Sequence, residues 1–222
     1  MGATTRVASV TRRFDCDDPD ERKRGLDVAA RAVKRGELVV LPTDTVYGLG
    51  ADAFQADAVH ALLAAKGRGR EMPVPVLVGS PKTLPGIATA LDNVGQALIE
   101  AFWPGGLTIV VCQQPSLQWD LGDTRGTVAV RMPLHPVAIE LLTETGPMAV
   151  SSANKSGSPA ARSCDEAYDQ LGEAVSVYLD GGPSGDAVAS TIVDLTGSEP
   201  RVVRVGAVPV ETLREVAPTL AP

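Results

Sequence analysis

The chain has 222 residues, a formal net charge of −7, 44% hydrophobic residues and only 4% aromatic residues. This length fits one large α/β domain, which buries enough apolar surface to fold without disulfides or metals. The negative charge argues against a protein that binds nucleic acid over its whole surface.

The hydrophobic pattern predicts alternating helices and strands along the chain. The first helix is expected at 21–35, capped by Asp18 or Asp20 and ended by Gly36. Further helices are predicted at 56–66, 92–102, 136–143, 164–171 and 210–216. Strands are predicted at 37–41, 74–78, 107–112, 127–131, 148–152, 175–179, 191–195 and 201–205.

This alternation favours an α/β fold in one domain. The last three strands follow one another closely, which indicates an antiparallel portion and therefore a mixed sheet. We expect an N-terminal extension at 1–20, the domain at 21–216 and a frayed tail at 217–222.

The numbers and spacing of cysteines and histidines indicate the cellular compartment and whether a metal site is expected. The three cysteines are far apart and form no CxxC pair, which is typical of a reducing cytosol. The N-terminus lacks the apolar core of a signal peptide, and no run of 18 apolar residues exists, so we expect a cytoplasmic chain without membrane contact. The two histidines, His60 and His135, do not have the spacing of a zinc site.

Residues 48–53, GLGADA, match the dinucleotide-binding pattern GxGxxG/A. That pattern requires the first glycine directly at a strand end, but PTDTVY lies between the predicted strand and Gly48. We therefore reject this site and expect the glycines to supply a turn.

Three polar segments are unusually rich in groups that bind ligands. Residues 42–48, PTDTVYG, follow a strand end and form either a ligand loop or an ordinary turn. Residues 66–70, KGRGR, place three cations within five residues, either around a polyanion or as a solvated cluster at a helix C-terminus. Residues 149–157, AVSSANKSG, run from a strand into hydroxyl and amide groups, either as a ligand site or as a loop with its own turns.

Two arginines follow apolar runs within predicted strands. Arg131 ends TVAVR and Arg204 ends RVVR, and both are poorly placed for simple solvation. A buried guanidinium needs a partner, either a structural carboxylate or a bound anion. Alternation in the first strand puts Thr127, Ala129 and Arg131 on one face.

Taken in order, these segments resemble the YrdC-like family. The matching motifs are PTDTVYGLG at 42–50, KGR at 66–68, WPGGLT at 103–108, TVAVRMP at 127–133, SSANKSG at 151–157, STIVD at 190–194 and RVG at 204–206. The resemblance covers about residues 25–210. It implies a YrdC-like twisted mixed sheet flanked by helices, and an enzyme that makes threonylcarbamoyl-AMP from L-threonine, bicarbonate and ATP.

The resemblance also implies roles for individual residues. Lys66 and Arg68 are the expected catalytic cations, acting on a triphosphate. Arg131 is assigned to the threonine carboxylate rather than to a structural ion pair, and family members also carry a histidine after the KGR loop that this chain lacks. The implied ATP site comprises Lys66, Arg68, Arg70, Thr127, Ser152, Asn154 and Arg204, and the implied threonine site comprises Thr43, Arg131 and Ser190.

The family activity implies ATP as a substrate with Mg²⁺, and a nucleotidyltransferase reaction that releases pyrophosphate. Its product would pass to a separate threonylcarbamoyl-transferase complex that modifies tRNA, with at most weak tRNA contact by this chain. Two alternatives remain: a nucleic-acid-binding or regulatory module that kept the fold but lost the chemistry, and a carbamoyl-adenylate former of metallocentre maturation.

Overall fold

The computed structural model describes residues 11–185 and 188–221. Its strands are β1 (Arg12–Asp15), β2 (Val39–Leu41), β3 (Gly48–Asp52), β4 (Val76–Leu77), β5 (Leu107–Cys112), β6 (Thr127–Arg131), β7 (Met148–Ser152), β8 (Val177–Asp180), β9 (Thr191–Asp194) and β10 (Arg201–Arg204). Its α-helices are α1 (Pro19–Lys34), α2 (Ala56–Lys66), α3 (Leu84–Ile87), α4 (Asn93–Phe102), α5 (Pro136–Thr145), α6 (Cys164–Leu171) and α7 (Val210–Val216).

These strands form one mixed sheet in the order β1-β8-β2-β3-β7-β4-β6-β5-β9-β10. Successive residues of β2 enter different apolar clusters: Val40 packs with α2 and α4, whereas Val39 and Leu41 pack with α1 and α5. Because strand side chains alternate between faces, the two clusters cover opposite faces of the sheet. This confirms the predicted α/β fold, a mixed sheet flanked by helices in a single domain.

Several elements have the predicted bounds, namely α2, α6, α7, β5, β6 and β7. Helix α1 begins two residues earlier than expected, at Pro19. Its predicted cap is confirmed, since the Asp18 carboxylate accepts bonds from the backbone N–H groups of Asp20 and Glu21. Proline has no backbone N–H, but the N–H of the first helical residue has no partner within a helix, so the helix can start at proline.

Both ends of the domain differ from the prediction. Strand β1 lies within the segment expected to be an extension, and it pairs in parallel with β8. Its sequence, RRFD, has a single apolar residue and therefore gives no alternating signal. Residues 1–10 of that extension lie outside the described part of the chain.

The predicted fraying of the C-terminal tail is wrong for residues 217–221. Leu220 is buried, and the Ala221 N–H donates to the Pro200 carbonyl at 2.9 Å. The Ala221 carbonyl accepts from Val202 N–H at 3.0 Å, so the tail pairs with the start of β10. Residue 222 lies outside the described range.

The expected grouping of the last three strands is only partly right. Strands β9 and β10 are antiparallel neighbours, whereas β8 lies at the other end of the sheet between β1 and β2. Short spacing along the chain did not determine adjacency here, because six strands lie between β8 and β9 in the order of the sheet.

The glycine turn predicted at 48–53 is instead strand β3, which pairs antiparallel with β2. A Cβ on Gly48 would lie 2.7 Å from Val150 Cγ1, and one on Gly50 would lie 2.7 Å from Met148 Cε. The glycines therefore let side chains of β7 lie across β3. An antiparallel β2–β3 pair is also not the parallel βαβ unit of a dinucleotide site.

Candidate functional site

A cavity of about 410 Å³ is lined by residues of strands β5, β6, β7, β9 and β10 and of loops beside the sheet. Its walls combine aliphatic side chains with hydroxyl and guanidinium groups. The polar lining residues are Thr43, Thr45, Arg68, Thr108, Thr124, Thr127, Arg131, Ser151, Ser152, Ser190 and Arg204. Seven of the ten predicted site residues are among them, and Lys66, Arg70 and Asn154 are not.

Strand β6 contributes four residues to the cavity lining, and its alternation predicts three of them. Thr127, Ala129 and Arg131 line the cavity and Val130 is fully buried in the core, but Val128, which alternation places on the opposite face, also borders the cavity. The Thr127 hydroxyl donates to the Thr124 carbonyl at 2.8 Å, which fastens the preceding loop to the strand.

Arg131 is 6% exposed and forms a buried ion pair, with its Nη2 2.6 Å from Asp44 Oδ1. Its Nη1 donates to Thr45 Oγ1 at 2.7 Å and its Nε to the Gly105 carbonyl at 2.8 Å. The prediction that Arg131 has no structural ion pair is therefore wrong. Burial lowers the pKa of Arg131, and the charge of Asp44 opposes that shift.

Three of the five guanidinium N–H groups of Arg131 are used in these bonds. The remaining two belong to Nη1 and Nη2, and the residue lines the cavity. An ion pair with Asp44 and a bond to a bound carboxylate are thus compatible at this guanidinium.

Lys66 lies at the C-terminal end of α2 and is 3% exposed. Its ammonium group donates to the carbonyls of Ser152 and Asn154, the latter at 2.6 Å. Burial, followed by the nearby charge of Arg68, lowers the pKa of Lys66 to about 8. Lys66 therefore stabilises the end of β7 and the loop that follows it. It does not line the cavity, contrary to the prediction.

Arg68 is the cation of the KGRGR segment that lines the cavity. Its Nη1 donates to Ser151 Oγ at 3.1 Å and its Nη2 to the Pro73 carbonyl at 3.2 Å. Its buried Nε has no partner within the described residues. A guanidinium with an unused donor at a cavity wall is suited to an anionic ligand.

Arg70 turns away from the cavity. Its Nη1 and Nη2 donate to the two carboxylate oxygens of Asp120, at 2.9 and 2.8 Å. Arg70 thereby holds the pKa of Asp120 at about 2. The three cations do not converge on one point as the sequence suggested, because Arg70 is paired with Asp120 outside the cavity.

Arg204 and Ser190 meet at the other end of the cavity. The Nε and Nη2 of Arg204 donate to the Ser190 carbonyl at 3.0 and 2.8 Å. Arg204 is exposed on the edge strand β10, so the expectation of a buried guanidinium is wrong there. The strand ends the sheet, and one side of it therefore faces solvent.

Two further predicted residues shape loops. The Thr43 hydroxyl donates to the Val46 carbonyl at 2.6 Å and lines the cavity. The Asn154 amide donates to the carbonyls of Lys155 and Ser158, at 2.9 and 2.8 Å. Asn154 thus stabilises the loop that Lys66 also holds, while the neighbouring Ser152 lines the cavity.

Sequence reasoning missed Asp44, Thr45, Thr108 and Ser151 as individual site residues. Each lies within or beside a motif that the sequence singled out, so the motifs were a usable signal. Nothing in the sequence indicated which of these residues pair with each other, since Asp44 and Arg131, for example, are 87 positions apart.

Three guanidinium groups and several hydroxyls give the cavity a lining that suits anionic groups. Within residues 11–185 and 188–221, no group of three His, Cys, Asp or Glu side chains could hold a metal ion. The cavity lining contains no carboxylate in that part of the chain. No helix of the described chain is long and apolar enough to cross a membrane.

Comparisons with known proteins agree with this architecture. The Sua5/YciO/YrdC family model, described as telomere recombination, matches residues 31–206. A protein of Mycobacterium tuberculosis (strain ATCC 25618 / H37Rv) is 61% identical over 207 residues, covering 93% of this chain and 95% of that protein. A Pyrococcus abyssi protein named threonylcarbamoyl-AMP synthase is 35% identical over 190 residues, or 85% of this chain and 56% of its own length.

Among solved structures, the crystal structure of P. abyssi Sua5 complexed with L-threonine superposes with a TM-score of 0.89 at 32% identity. The match covers 96% of this chain and 62% of the P. abyssi chain, so this chain spans less than two thirds of that protein. The family model and the relatives match most of the chain, including the motifs that line the cavity. The chain therefore belongs to the Sua5/YciO/YrdC family.

Proposed function

We propose that this chain is a threonylcarbamoyl-AMP synthase, a nucleotidyltransferase that uses L-threonine, bicarbonate or CO₂, and ATP. The observation that carries the proposal is one cavity that joins the guanidinium groups of Arg68, Arg131 and Arg204 with a series of hydroxyls. Such a lining suits two substrates that carry anionic groups, the phosphates of a nucleotide and the carboxylate of an amino acid. The names of the relatives support the same activity.

In this proposal Arg68 binds the triphosphate from the cavity wall, through the N–H groups of Nη1 and Nη2 that Ser151 and Pro73 leave unused. Thr127, Ser152 and Arg204 supply the remaining predicted nucleotide contacts at the cavity wall. Lys66 and Asn154 act indirectly in this proposal, because their side chains hold the loop that presents Ser152.

L-Threonine would bind between Thr43, Arg131 and Ser190. The two unused N–H groups of Arg131 can take the amino acid carboxylate while Asp44 retains its own bond. The P. abyssi Sua5 structure complexed with L-threonine supports this class of ligand for the fold.

In the proposed reaction, the threonine amine combines with bicarbonate to give an N-carboxylate and water. An oxygen of that carboxylate attacks the α-phosphorus of ATP, the bond to the β-phosphate oxygen breaks, and pyrophosphate leaves. The side chains orient the reactants and neutralise charge at the phosphates, which supplies most of the rate in such transfers. Mg²⁺ bound to ATP supplies further neutralisation of the phosphates.

The product would serve a separate transferase complex that modifies tRNA in the cytoplasm. A net charge of −7 supports the proposal that this chain makes no extensive tRNA contact. The rival function, forming a carbamoyl-adenylate, would need a carbamoyl donor such as carbamoyl phosphate in place of L-threonine.

The deciding experiment measures pyrophosphate release from ATP with and without L-threonine and bicarbonate. We expect release only when both are present. Equal release without either would contradict the proposal, and release that requires carbamoyl phosphate would favour the rival. Absence of turnover with retained ATP binding would favour the regulatory module.

A further inference from the structure

Two buried hydroxyls lie side by side in the cavity wall. Thr108 in β5 is 3% exposed, and Ser190, which precedes β9, is 7% exposed. Their Oγ1 and Oγ atoms are 2.7 Å apart, and both residues line the cavity. Strands β5 and β9 run parallel, with Leu107 opposite Thr191 and Thr108 opposite Ile192, so backbone pairing beside Ser190 holds the two hydroxyls together.

A count of hydrogens shows that this pair has a donor to spare. Ser190 Oγ accepts from Arg204 Nη2 at 3.1 Å, and one of the two hydroxyls donates to the other. Two hydroxyl hydrogens are present and one is used within the pair. The other has no acceptor among the residues that the structure describes, and it lies in a cavity.

A short segment, 105–108, connects this hydroxyl pair to the guanidinium of Arg131. Arg131 Nε donates to the Gly105 carbonyl, and Gly105 is three residues before Thr108. Three residues span at most about 10 Å. Arg131, Thr108 and Ser190 also line the same cavity, so we infer that an amino acid whose carboxylate is held by Arg131 brings its side chain to the hydroxyl pair.

Resting on the proposed function, we propose that Thr108, together with Ser190, is a specificity-determining residue that recognises the side-chain hydroxyl of L-threonine. The spare hydroxyl hydrogen of the pair donates to the threonine Oγ1. L-Valine has the same shape but a methyl group at that place, so it would leave a buried donor unpaired. Sites built to bind a hydroxyl reject such analogues strongly.

The test compares kcat/KM for pyrophosphate release with L-threonine and with L-valine, at fixed ATP and bicarbonate. We expect the wild type to prefer threonine by at least about 100-fold. Thr108→Val, which keeps the volume, should lower this preference at least about 10-fold, and Thr108→Val with Ser190→Ala should nearly abolish it. Thr108→Ser keeps a hydroxyl and should restore the preference to within a few-fold of the wild type.

Thr143→Val is the matched control, because its hydroxyl donates to the Ile139 carbonyl on an exposed part of α5 and lies outside the cavity. Its preference should equal that of the wild type. A folded double variant that keeps the wild-type preference would overturn the inference.

A second comparison uses the wild type alone and does not depend on how the variants fold. L-Serine and L-2-aminobutyrate differ only by hydroxyl against methyl, and we expect serine to be preferred at least about 10-fold. Equal use of the two would overturn the inference. If the wild type releases no pyrophosphate with any of these amino acids, the proposed function fails as well, which separates the two results.

Discussion

Arg131 and Asp44 form a buried ion pair that joins the end of β6 to the loop after β2, with 2.6 Å between Nη2 and Oδ1. The same Asp44 oxygen accepts from Leu134 N–H at 2.8 Å, so one carboxylate holds both the guanidinium and the chain that follows it. The pair fixes the plane of the guanidinium at the cavity, which gives Asp44 a positioning role for any ligand of Arg131.

Arg131→Ala should lower the free energy of unfolding by about 3–5 kcal/mol without ligand, because it leaves the Asp44 carboxylate without its cationic partner. Urea denaturation measures this change. Arg35→Ala, which removes an exposed pair with Glu37, is the control and should cost about 1 kcal/mol or less. An Arg131→Ala protein as stable as the wild type would show that the pair contributes nothing to folding.

Arg68→Ala should abolish pyrophosphate release and leave the thermal melt nearly unchanged, since Arg68 borders the cavity and makes only two long protein bonds. Arg70→Ala should keep most activity, because Arg70 is bound to Asp120 outside the cavity. Assays of both variants beside the wild type test this difference. Equal losses in the two would mean that the loop acts through its total charge.

Lys66 makes stability depend on pH in a defined direction. Its pKa is about 8 in the folded chain, against an ordinary value of 10.5. Between these two pH values the unfolded chain binds more protons, so this group makes the free energy of unfolding rise with pH.

The stability of the wild type relative to Lys66→Met should therefore increase as the pH is raised from 8 towards 10.5. Urea denaturation of both proteins across this range measures the difference. Below pH 8 the difference should be nearly constant, since Lys66 is protonated in both states. A difference that stays flat or falls above pH 8 would contradict a lowered pKa.

Gly48→Ala and Gly50→Ala test why β3 carries glycine. Each new Cβ would approach a β7 side chain to 2.7 Å, at Val150 Cγ1 for position 48 and at Met148 Cε for position 50. Valine is stiff at χ1, whereas the end of a methionine can move, so Gly48→Ala should be the more destabilising, by about 1–3 kcal/mol. Chemical denaturation of both variants gives the order, and a larger loss for Gly50→Ala would contradict this explanation.

The sequence predicted those elements whose local pattern is strong. Strands β5 and β6 are apolar or alternating, and α2 has a regular stripe ended by Gly67, so their bounds are as expected. Strands β1 and β3 could not be predicted, because RRFD and GLGAD lack apolar alternation. Their conformation is set by strand partners, of which β8 for β1 and β7 for β3 are distant in the sequence, while β2, the other partner of β3, is near.

The site shows the same division. Motifs indicated which segments meet, and Thr43, Arg68, Thr127, Arg131, Ser152, Ser190 and Arg204 do line one cavity. The direction of a long side chain was not predictable, because it depends on a distant partner: Asp120 for Arg70, and two loop carbonyls for Lys66.

The parallel pairing of β1 with β8 also governs when this protein can fold. Arg12 pairs with Val177, so the first strand has no partner until most of the chain has been synthesised. Strand β2 likewise pairs with β8, and the final bridge joins Arg201 to Ala221. Such long-range pairings give a high contact order and slow folding. Strand β1 therefore remains unpaired until β8 has been synthesised, and the bridge between Arg201 and Ala221 can form only later still.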